Sequence, residues 1–223
     1  ARFPLQLRRA SKTSWPISTG VPFSKGALGS TDQLRLLNTS RTEIPVQARP
    51  LTRWSDGSVQ WALLDFHADG QNNYAVEYGS QITRSNPENA LQIDRNRMGI
   101  TVTTGPIRVA FSRTNAVFPG IVSVRQPDGS YRCLTPAKPS PAVTLITKDG
   151  TTYRSGKPFA ITLEEAGPER ACVRIELDHT SGKKQLFRST FRVHLFRNSS
   201  ALRVLHTFEN DHTENTFTHI QEL

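Results

Sequence analysis

The sequence lacks any apolar run long enough to cross a membrane, and it is poor in sulfur. Its 223 residues are 36% hydrophobic and include two cysteines and one methionine. A membrane-spanning helix needs about 20 consecutive, mainly apolar residues, so such a helix is excluded and we expect no membrane partner. A chain of this length buries roughly 70% of its extended surface on folding. It can therefore form a core without metals or disulfides, and we predict a soluble globular protein.

The two cysteines, Cys133 and Cys172, allow at most one disulfide. Cys172 lies beside Arg174 on what the alternation predicts to be the polar face of a strand, and an exposed strand thiol is unusual in the cytosol. The chain begins with Ala1, which fits either a removed leader or a trimmed sequence. These features favour a disulfide and an extracellular protein, although two free thiols remain compatible with the sequence.

Helical periodicity is also missing, since no segment of ten or more residues repeats its apolar positions every 3.6 residues. The dominant period is two, as in strands; Val193 and Leu195, for example, alternate with Arg192 and His194. Turn sequences such as Asp-Gly at 56–57 separate the alternating segments. The sequence therefore predicts an all-β chain, with strands at 34–37, 44–49, 58–68, 74–78, 99–103, 107–111, 121–125, 143–147, 159–163, 171–178, 186–197 and 202–208.

One composition change divides the chain. Between residues 79 and 89, serine, threonine, asparagine and proline cluster while apolar residues become rare. Short strands with long loops precede this stretch, and longer alternating strands follow it. We predict one domain at 1–85 and a second at 86–223, with no internal repeat; the second is compatible with a complete or an incomplete sandwich.

Motifs for nucleophilic or phosphate chemistry are absent from the sequence. There is no Gly-x-Ser-x-Gly elbow, and the glycine-containing segment 26–30 lacks the lysine and the helix of a phosphate-binding loop. The neighbouring carboxylates of Glu164 and Glu165 are predicted to point to opposite faces of a strand, which suits neither glycosidase geometry. We predict no catalytic residue and no cofactor.

Histidines and carboxylates crowd the C-terminal part, namely His206, Glu209, Asp211, His212, Glu214 and His219. Metal ligands must converge at about 2.0–2.2 Å from the ion, and no His-x-His or His-Glu-x-x-His spacing supplies that convergence. We therefore predict no metal site. His206 alternates with Val204 and Phe208, which favours a hydrogen-bonded histidine in the core.

Positive charge exceeds negative charge, with 28 Lys and Arg against 19 Asp and Glu and a formal net charge of +9. The basic residues are spread along the chain and no nucleic-acid-binding motif is present, so we predict no nucleic-acid partner. A diffuse positive field can attract an acidic polysaccharide. The same charge can also serve solubility alone.

Three segments carry a resemblance to a known family. They are the loop-like segment 20–28 (GVPFSKGAL), the segment 45–66 with RWSDGSVQWA at 53–62, and the segment 202–208 (LRVLHTF) followed by IQEL at 220–223. Together they resemble the N-terminal part of the exo-rhamnogalacturonan lyase family, the YetA-like multidomain polysaccharide lyases.

The resemblance implies a RIFT-type β-barrel followed by the opening of a large β-sandwich. In such lyases an α/α toroid follows, and the catalytic base and substrate cleft are associated with the toroid and its junction with the sandwich. No pair of helices of that kind is predicted here, so no catalytic residue is carried over. The resemblance makes the missing catalytic domain an expected partner of this chain.

Three residues are the candidates for binding substrate: Arg53, Trp54 and Trp15. A tryptophan can stack on a sugar ring while a neighbouring guanidinium pairs with a uronate carboxylate. Trp15 lies on a predicted loop, where packing does not force an aromatic residue. Trp61, in contrast, is predicted to be the centre of a strand buried on both faces.

The expected function is that of an accessory, non-catalytic region of a secreted polysaccharide lyase, which acts on acidic rhamnogalacturonan chains by β-elimination. Two alternatives remain. One is a stand-alone carbohydrate-binding module that uses Trp15, Trp54 and Arg53. The other is a structural domain whose basic surface docks another domain or subunit.

Overall fold

A computed structural model describes residues 1–8, 13–114, 117–135, 141–211 and 218–222. Apart from one 3₁₀ turn at Thr31–Gln33, every regular element in these ranges is a β-strand, which confirms the all-β prediction. Within the same ranges, no helix has the length and apolarity that a membrane span requires. The chain divides into two compact units, the first comprising residues 1–90 with 167–169 and the second comprising 91–166 with 170–223.

The first unit contains two antiparallel sheets. Its strands are β1 (Arg2–Gln6), β2 (Trp15–Pro22), β3 (Leu34–Leu37), β4 (Glu43–Ile44), β5 (Val46–Arg53), β6 (Val59–Ala68) and β7 (Asn73–Tyr78). One sheet has the order β1-β7-β3-β4 and the other the order β2-β6-β5. Both sheets contribute to one core, which includes Leu34, Leu36, Leu64, Phe66 and Val76.

Strand β2 was predicted as loop, both around Trp15 and at 20–22. In the structure it pairs with β6 from Trp15↔Ala68 to Pro22↔Trp61. Its prolines and glycine hide the pattern, because these residue types are depleted in strands. Ile17 and Val21 nevertheless face the core of the unit, and Val21 is fully buried there.

The second unit also contains two sheets. Its strands are β8 (Gln92–Asn96), β9 (Gly99–Thr103), β10 (Ile107–Ser112), β11 (Ile121–Arg125), β12 (Tyr131–Cys133), β13 (Thr144–Thr147), β14 (Thr152–Ser155), β15 (Ala160–Ala166), β16 (Arg170–Ser181), β17 (Lys184–Phe196), β18 (Leu202–Glu209) and β19 (Ile220–Glu222). The order β12-β11-β10-β9-β8 forms the first sheet. The order β18-β17-β16-β14-β13-β19, with β15 also paired to β16, forms the second.

The core of this unit joins the inner faces of the two sheets. Val102 and Val109 come from the first sheet and Val173 and Val193 from the second, and all four are inaccessible to solvent. This facing arrangement is that of two packed antiparallel sheets whose inner residues alternate with polar outer ones.

The two cysteines are free, so the favoured disulfide is wrong. Cys133 is exposed at the end of β12, while Cys172 is buried rather than exposed on β16. The alternation placed Cys172 correctly on the outer face, together with Arg174. Side chains of Glu164 and His194 then cover it, since the sulfur lies 3.7 Å from Glu164 Oε2 and 3.9 Å from His194 Nε2.

Candidate functional site

Arg53 and Trp54 lie together at the turn that joins β5 to β6. Gly57 N–H donates to Trp54 O at 3.0 Å, and Asp56 Oδ1 accepts from both the N–H and the hydroxyl of Ser58. These hydrogen bonds lower the pKa of Asp56. The turn is therefore held by its own polar groups, and it fixes the backbone on which Arg53 and Trp54 stand.

Both side chains at this turn are engaged with the protein itself. Trp54 Nε1 donates to the carbonyl oxygen of Phe23 at 3.0 Å, and Arg53 Nη1 donates to that of Gly57 at 2.7 Å. Trp54 is half-buried, whereas Arg53 is exposed. Trp54 thus anchors a neighbouring loop through its indole N–H, and Arg53 keeps part of its guanidinium accessible.

Trp15 is not near this pair. It faces Ala68 at one end of β6, and Arg53 faces Val59 at the other end. Nine residues of strand separate the two positions, or about 30 Å at 3.3 Å per residue. Trp15 is 54% exposed, so it is free to bind, but the three predicted residues do not form one site. Their role in substrate binding stays a prediction.

Trp61 is 42% exposed, so the prediction that it lies in a buried strand is wrong in its case. Apolar residues occur on both faces of β6, but only the face of Ala62 and Leu64 is fully buried. The six-membered ring of Trp61 lies over Gly20 of β2: a Cβ at Gly20 would be 3.5 Å from Trp61 Cε3. The glycine therefore leaves room for the indole on the outer surface of the sheet.

A second exposed apolar side chain lies on the neighbouring strand, β5, level with this indole in the pairing. Leu51 is 45% exposed and occupies a bulge in β5, between Pro50, which pairs with Ala62, and Thr52, which pairs with Trp61. A bulge puts an extra residue into one strand and redirects its side chains. Trp61 and Leu51 form what we call the indole platform.

Buried polar groups occupy the other half of the same sheet face. Asp65 accepts a hydrogen bond from Ser18 Oγ at 2.5 Å, and His67 Nδ1 lies 3.1 Å from Glu169 Oε2 in the first unit. Asp65 is 2% exposed and Glu169 is 1% exposed. Groups enclosed to this degree have no surface to offer a polymer, so we assign them to the stability of the fold.

In the second unit, an open cleft of about 280 Å³ lies between the two sheets at one end. Its polar lining includes Arg95, Asn96, Arg113 and Thr162, and none of its lining residues is acidic. No motif in the sequence points to this cleft, because Arg95 and Arg113 meet only through the register of β8, β9 and β10.

The carboxylates considered for acid–base chemistry are held by arginines. Glu164, the bulge residue of β15, accepts hydrogen bonds from Arg192 Nε at 2.7 Å and Arg192 Nη2 at 3.0 Å. Arg192 lowers the pKa of Glu164. Glu165 pairs with Arg170 instead. The two carboxylates therefore sit in separate ion pairs. Both nevertheless lie beside Cys172, since Glu165 is paired with Cys172 and Glu164 contacts its sulfur. The prediction that they point to opposite faces is wrong, because the bulge at Glu164 interrupts the alternation of β15.

In the second unit, the buried histidine is not the one that the sequence predicted. His206 is hydrogen-bonded, since its Nε2 lies 2.8 Å from Ser189 Oγ, but it is exposed rather than in the core. The core histidine is His179, which is inaccessible to solvent and contacts the same hydroxyl at 3.0 Å. Burial lowers the pKa of His179, and the partial desolvation of its ring lowers that of His206. β18 is an edge strand. A residue that alternates with apolar neighbours on such a strand can therefore remain exposed, as His206 does.

No cluster of three or more potential metal ligands is present in the part of the chain that the structure describes. His212 and Glu214, which belonged to the C-terminal group considered above, lie outside the described residues.

Two family models match the chain. The PcRGLX-like N-terminal RIFT barrel domain matches residues 6–79, and the PcRGLX-like protein central beta sandwich domain matches residues 91–221. A curated relative, the uncharacterized protein YetA of Bacillus subtilis (strain 168), is 24% identical over 202 residues. The alignment covers 88% of this chain and 23% of YetA. The chain thus spans about a quarter of the relative it matches.

Proposed function

Because the chain belongs to the PcRGLX-like family, whose RIFT barrel and central β-sandwich it contains, we propose that it binds polysaccharide for a rhamnogalacturonan lyase. In this proposal the chain is an accessory, non-catalytic region, its substrate is an acidic pectin-type polymer, and the complete enzyme is secreted. Secretion is part of the proposal because a pectin-type polymer meets its enzyme outside the cell.

The observation that carries the proposal is the indole platform on the outer face of the β2-β6-β5 sheet in the first unit. Trp61 presents 42% of its surface to solvent and Leu51 45%. A large apolar ring on a sheet surface is otherwise costly, since its transfer out of water is favourable by about 25 cal/mol per Å². The apolar face of a sugar ring can cover such an indole, while its hydroxyls remain in water.

Gly20 gives the platform a defined geometry. The Trp61 ring rests over the β2 backbone at this residue, and β2 and β6 pair without a register shift over eight residue pairs. The ring is thereby placed before any ligand arrives, so binding need not order it first.

The charge of the chain supports an acidic polymer. The formal net charge is +9, and a positive field raises the local concentration and the association rate of a polyanion. Trp15 and Arg53 are exposed and remain candidates for further contacts along an extended chain.

The described reactive groups support a non-catalytic role. β-Elimination needs a base that removes the proton next to the uronate carboxylate and a cation that stabilises the enolate. Glu164 is neutralised by Arg192 and has a lowered pKa, which makes it a weaker base. Burial raises the pKa of the Cys172 thiol to about 12, so this thiol stays protonated at neutral pH.

Titration of the 223-residue chain with rhamnogalacturonan oligosaccharides tests the proposal through tryptophan fluorescence. We expect a saturable change that Trp61→Ala abolishes. Leu205→Ala removes an apolar side chain of similar exposure, 43%, from β18 of the second unit and serves as the control. If no change occurs at millimolar oligosaccharide, the binding function is refuted, and the structural-domain alternative takes its place. Formation of unsaturated uronate by the isolated chain would contradict the non-catalytic role.

A further inference from the structure

Arg95 and Arg113 lie at the open end of the second unit, where the apolar inner face of its first sheet ends. Along β10, Ile107, Val109 and Phe111 point into the core, and alternation places Arg113 on the same face two residues later. Arg95 of β8 is paired with Ile100, which is also a core residue. Both arginines therefore project towards the second sheet, beyond the last core layer.

The backbone that carries these arginines is tightly fixed. Asn96 Oδ1 accepts hydrogen bonds from Met98 N–H at 2.8 Å and Gly99 N–H at 3.1 Å, which close the turn between β8 and β9. Gly99 has φ +158°, and a Cβ there would collide with the carbonyl oxygen of Phe111. Arg113 N–H donates to Met98 O at 2.9 Å, so the turn and the end of β10 hold each other in place.

The charges of these arginines are not neutralised inside the cleft. Arg113 Nη2 donates to the carbonyl oxygen of Ile161 on β15 at 3.2 Å, which is a neutral partner. The Arg95 side chain has neither a hydrogen bond nor an ion pair with another described residue, and the lining of the cleft contains no carboxylate. Glu164 directly follows the lining residues of β15, but its carboxylate is hydrogen-bonded to Arg192. The cleft therefore holds two positive charges without a counter-charge.

The remaining lining fits a sugar acid. Asn96 and Thr162 offer amide and hydroxyl groups, and Ile100, Ile161 and Leu163 form an apolar part. Small-molecule sites usually have volumes of about 300–1,000 Å³ and combine an apolar lining with a few polar groups. The cleft, at about 280 Å³, lies just below the lower end of this range.

We propose that this cleft, bounded by Arg95 and Arg113, binds the carboxylate of a hexuronate residue. Guanidinium groups match a carboxylate with two parallel hydrogen bonds. Asn96 and Thr162 contact ring hydroxyls, and the apolar side chains cover the less polar face of the sugar. The choice of a sugar acid over another anion rests on the proposed function, whereas the demand for an anion rests on the cleft alone.

The test follows the arginine Nε–Hε signals of the full 223-residue chain by NMR, during titration with digalacturonate. Its methyl ester, which keeps the sugar but loses the charge, and sodium sulfate, which keeps charge alone, are titrated in parallel. We expect digalacturonate to shift the signals of Arg95 and Arg113 and to bind at least tenfold more tightly than the ester or sulfate.

Variants locate the binding. Loss of one charge-assisted hydrogen bond corresponds to about a ten- to hundredfold loss of affinity, which we expect for Arg113→Gln and for Arg95→Gln. Arg95→Gln removes no hydrogen bond of the described fold, so it stays informative if Arg113→Gln destabilises the protein. Arg132→Gln, on the exposed edge strand β12 of the same sheet, removes the same charge and should bind as the unchanged chain does.

Each contrary outcome has its own meaning. If Arg95→Gln and Arg113→Gln bind digalacturonate as well as the unchanged chain does, the cleft is not the site, although polymer binding at Trp61 can still stand. If sulfate or the ester binds equally well, the assignment to a uronate is overturned. If digalacturonate shifts the two arginines while polymer binding at Trp61 is absent, the proposed function fails and the anion site survives.

Discussion

Arg192 holds Glu164 by two parallel hydrogen bonds, with Nε 2.7 Å from Oε2 and Nη2 3.0 Å from Oε1. The pair lies on the outer face of the second unit, and the carboxylate is about one-quarter exposed. Its geometry is the fork in which an arginine binds a carboxylate most strongly. The sequence places the two residues 28 positions apart, so only the pairing of β15, β16 and β17 brings them together.

This ion pair makes stability depend on pH in the acid range. Arg192 lowers the pKa of Glu164 below its usual value of 4.5, so the carboxylate stabilises the fold above that pH. The contribution is lost as the pH falls through the lower pKa of the folded state. We expect Glu164→Gln to cost about 1 kcal/mol at pH 7 and almost nothing at pH 2. Urea unfolding at both pH values measures the difference; an equal cost at both would contradict the assignment.

Buried His179 predicts a second loss of stability, at a higher pH. Burial, and then His206, lower its pKa in the fold, whereas in the unfolded chain it titrates near 6.5. Below about pH 6.5 the unfolded chain therefore binds a proton that the folded chain does not, and stability decreases. Above that pH both states are neutral, and His179 has no pH effect.

The expected slope from His179 is at most about 1.4 kcal/mol per pH unit, and it ends once the pH falls below the folded pKa. Denaturant unfolding between pH 7.5 and pH 5 is the measurement, with His179→Gln expected to flatten the curve. His219→Gln, on an exposed residue, is the control and should leave the slope unchanged. A slope that His179→Gln does not alter would show that other groups cause it.

The fold could be predicted from the sequence where one face of a strand is apolar and the other polar. β3, β9 and β11 have the predicted bounds, at 34–37, 99–103 and 121–125. The prediction failed for Trp61, because the outer face of β6 is also apolar and alternation alone cannot tell which face the core covers. It failed for Cys172 for another reason: alternation gives the face of a residue but not the side chains that close over it.

The candidate sites were harder to predict than the fold. Arg53 and Trp54 are sequence neighbours and do lie together, but Trp15 is at the far end of β6. Arg95 and Arg113 belong to no motif, and their juxtaposition depends on the register of three strands. Such a pair can be found from sequence only if β8 is first recognised, and its burial pattern is largely exposed.

The thiols predict a simple labelling result. Cys133 is exposed, and Cys172 is buried with its pKa raised to about 12. Because the thiolate is the reactive form, we expect one thiol to react with a disulfide reagent in the folded chain and two after denaturation. No reaction in either state would indicate a disulfide and contradict the structure.

Gly99 predicts a large backbone effect. An alanine there would bring its Cβ against the carbonyl oxygen of Phe111 at φ +158°. We expect Gly99→Ala to lower the free energy of unfolding by about 2–4 kcal/mol. Gly156→Ala, where a Cβ meets nothing within 4 Å, is the control and should change it by less than about 0.5 kcal/mol. Equal effects in thermal or urea unfolding would refute the close approach at Gly99.

Two tryptophans of the first unit should respond differently to the same substitution. Trp54→Phe removes the hydrogen bond to the carbonyl oxygen of Phe23 and should cost about 1 kcal/mol of stability. Trp61→Phe loses no hydrogen bond of the described fold, and the ring is exposed, so a change within about 0.5 kcal/mol is expected. Urea unfolding of the two variants checks the contrast, and the reverse order would contradict the roles given to these indoles.

The turn between β8 and β9, which Asn96 closes, has a fixed conformation before any anion binds. Its two arginines therefore meet an incoming carboxylate without waiting for a loop to rearrange, and capture is limited by how often the molecules collide. Collisions between opposite charges become rarer as salt screens them. Added salt should accordingly slow the arrival of a uronate more than it shortens the time that the sugar stays.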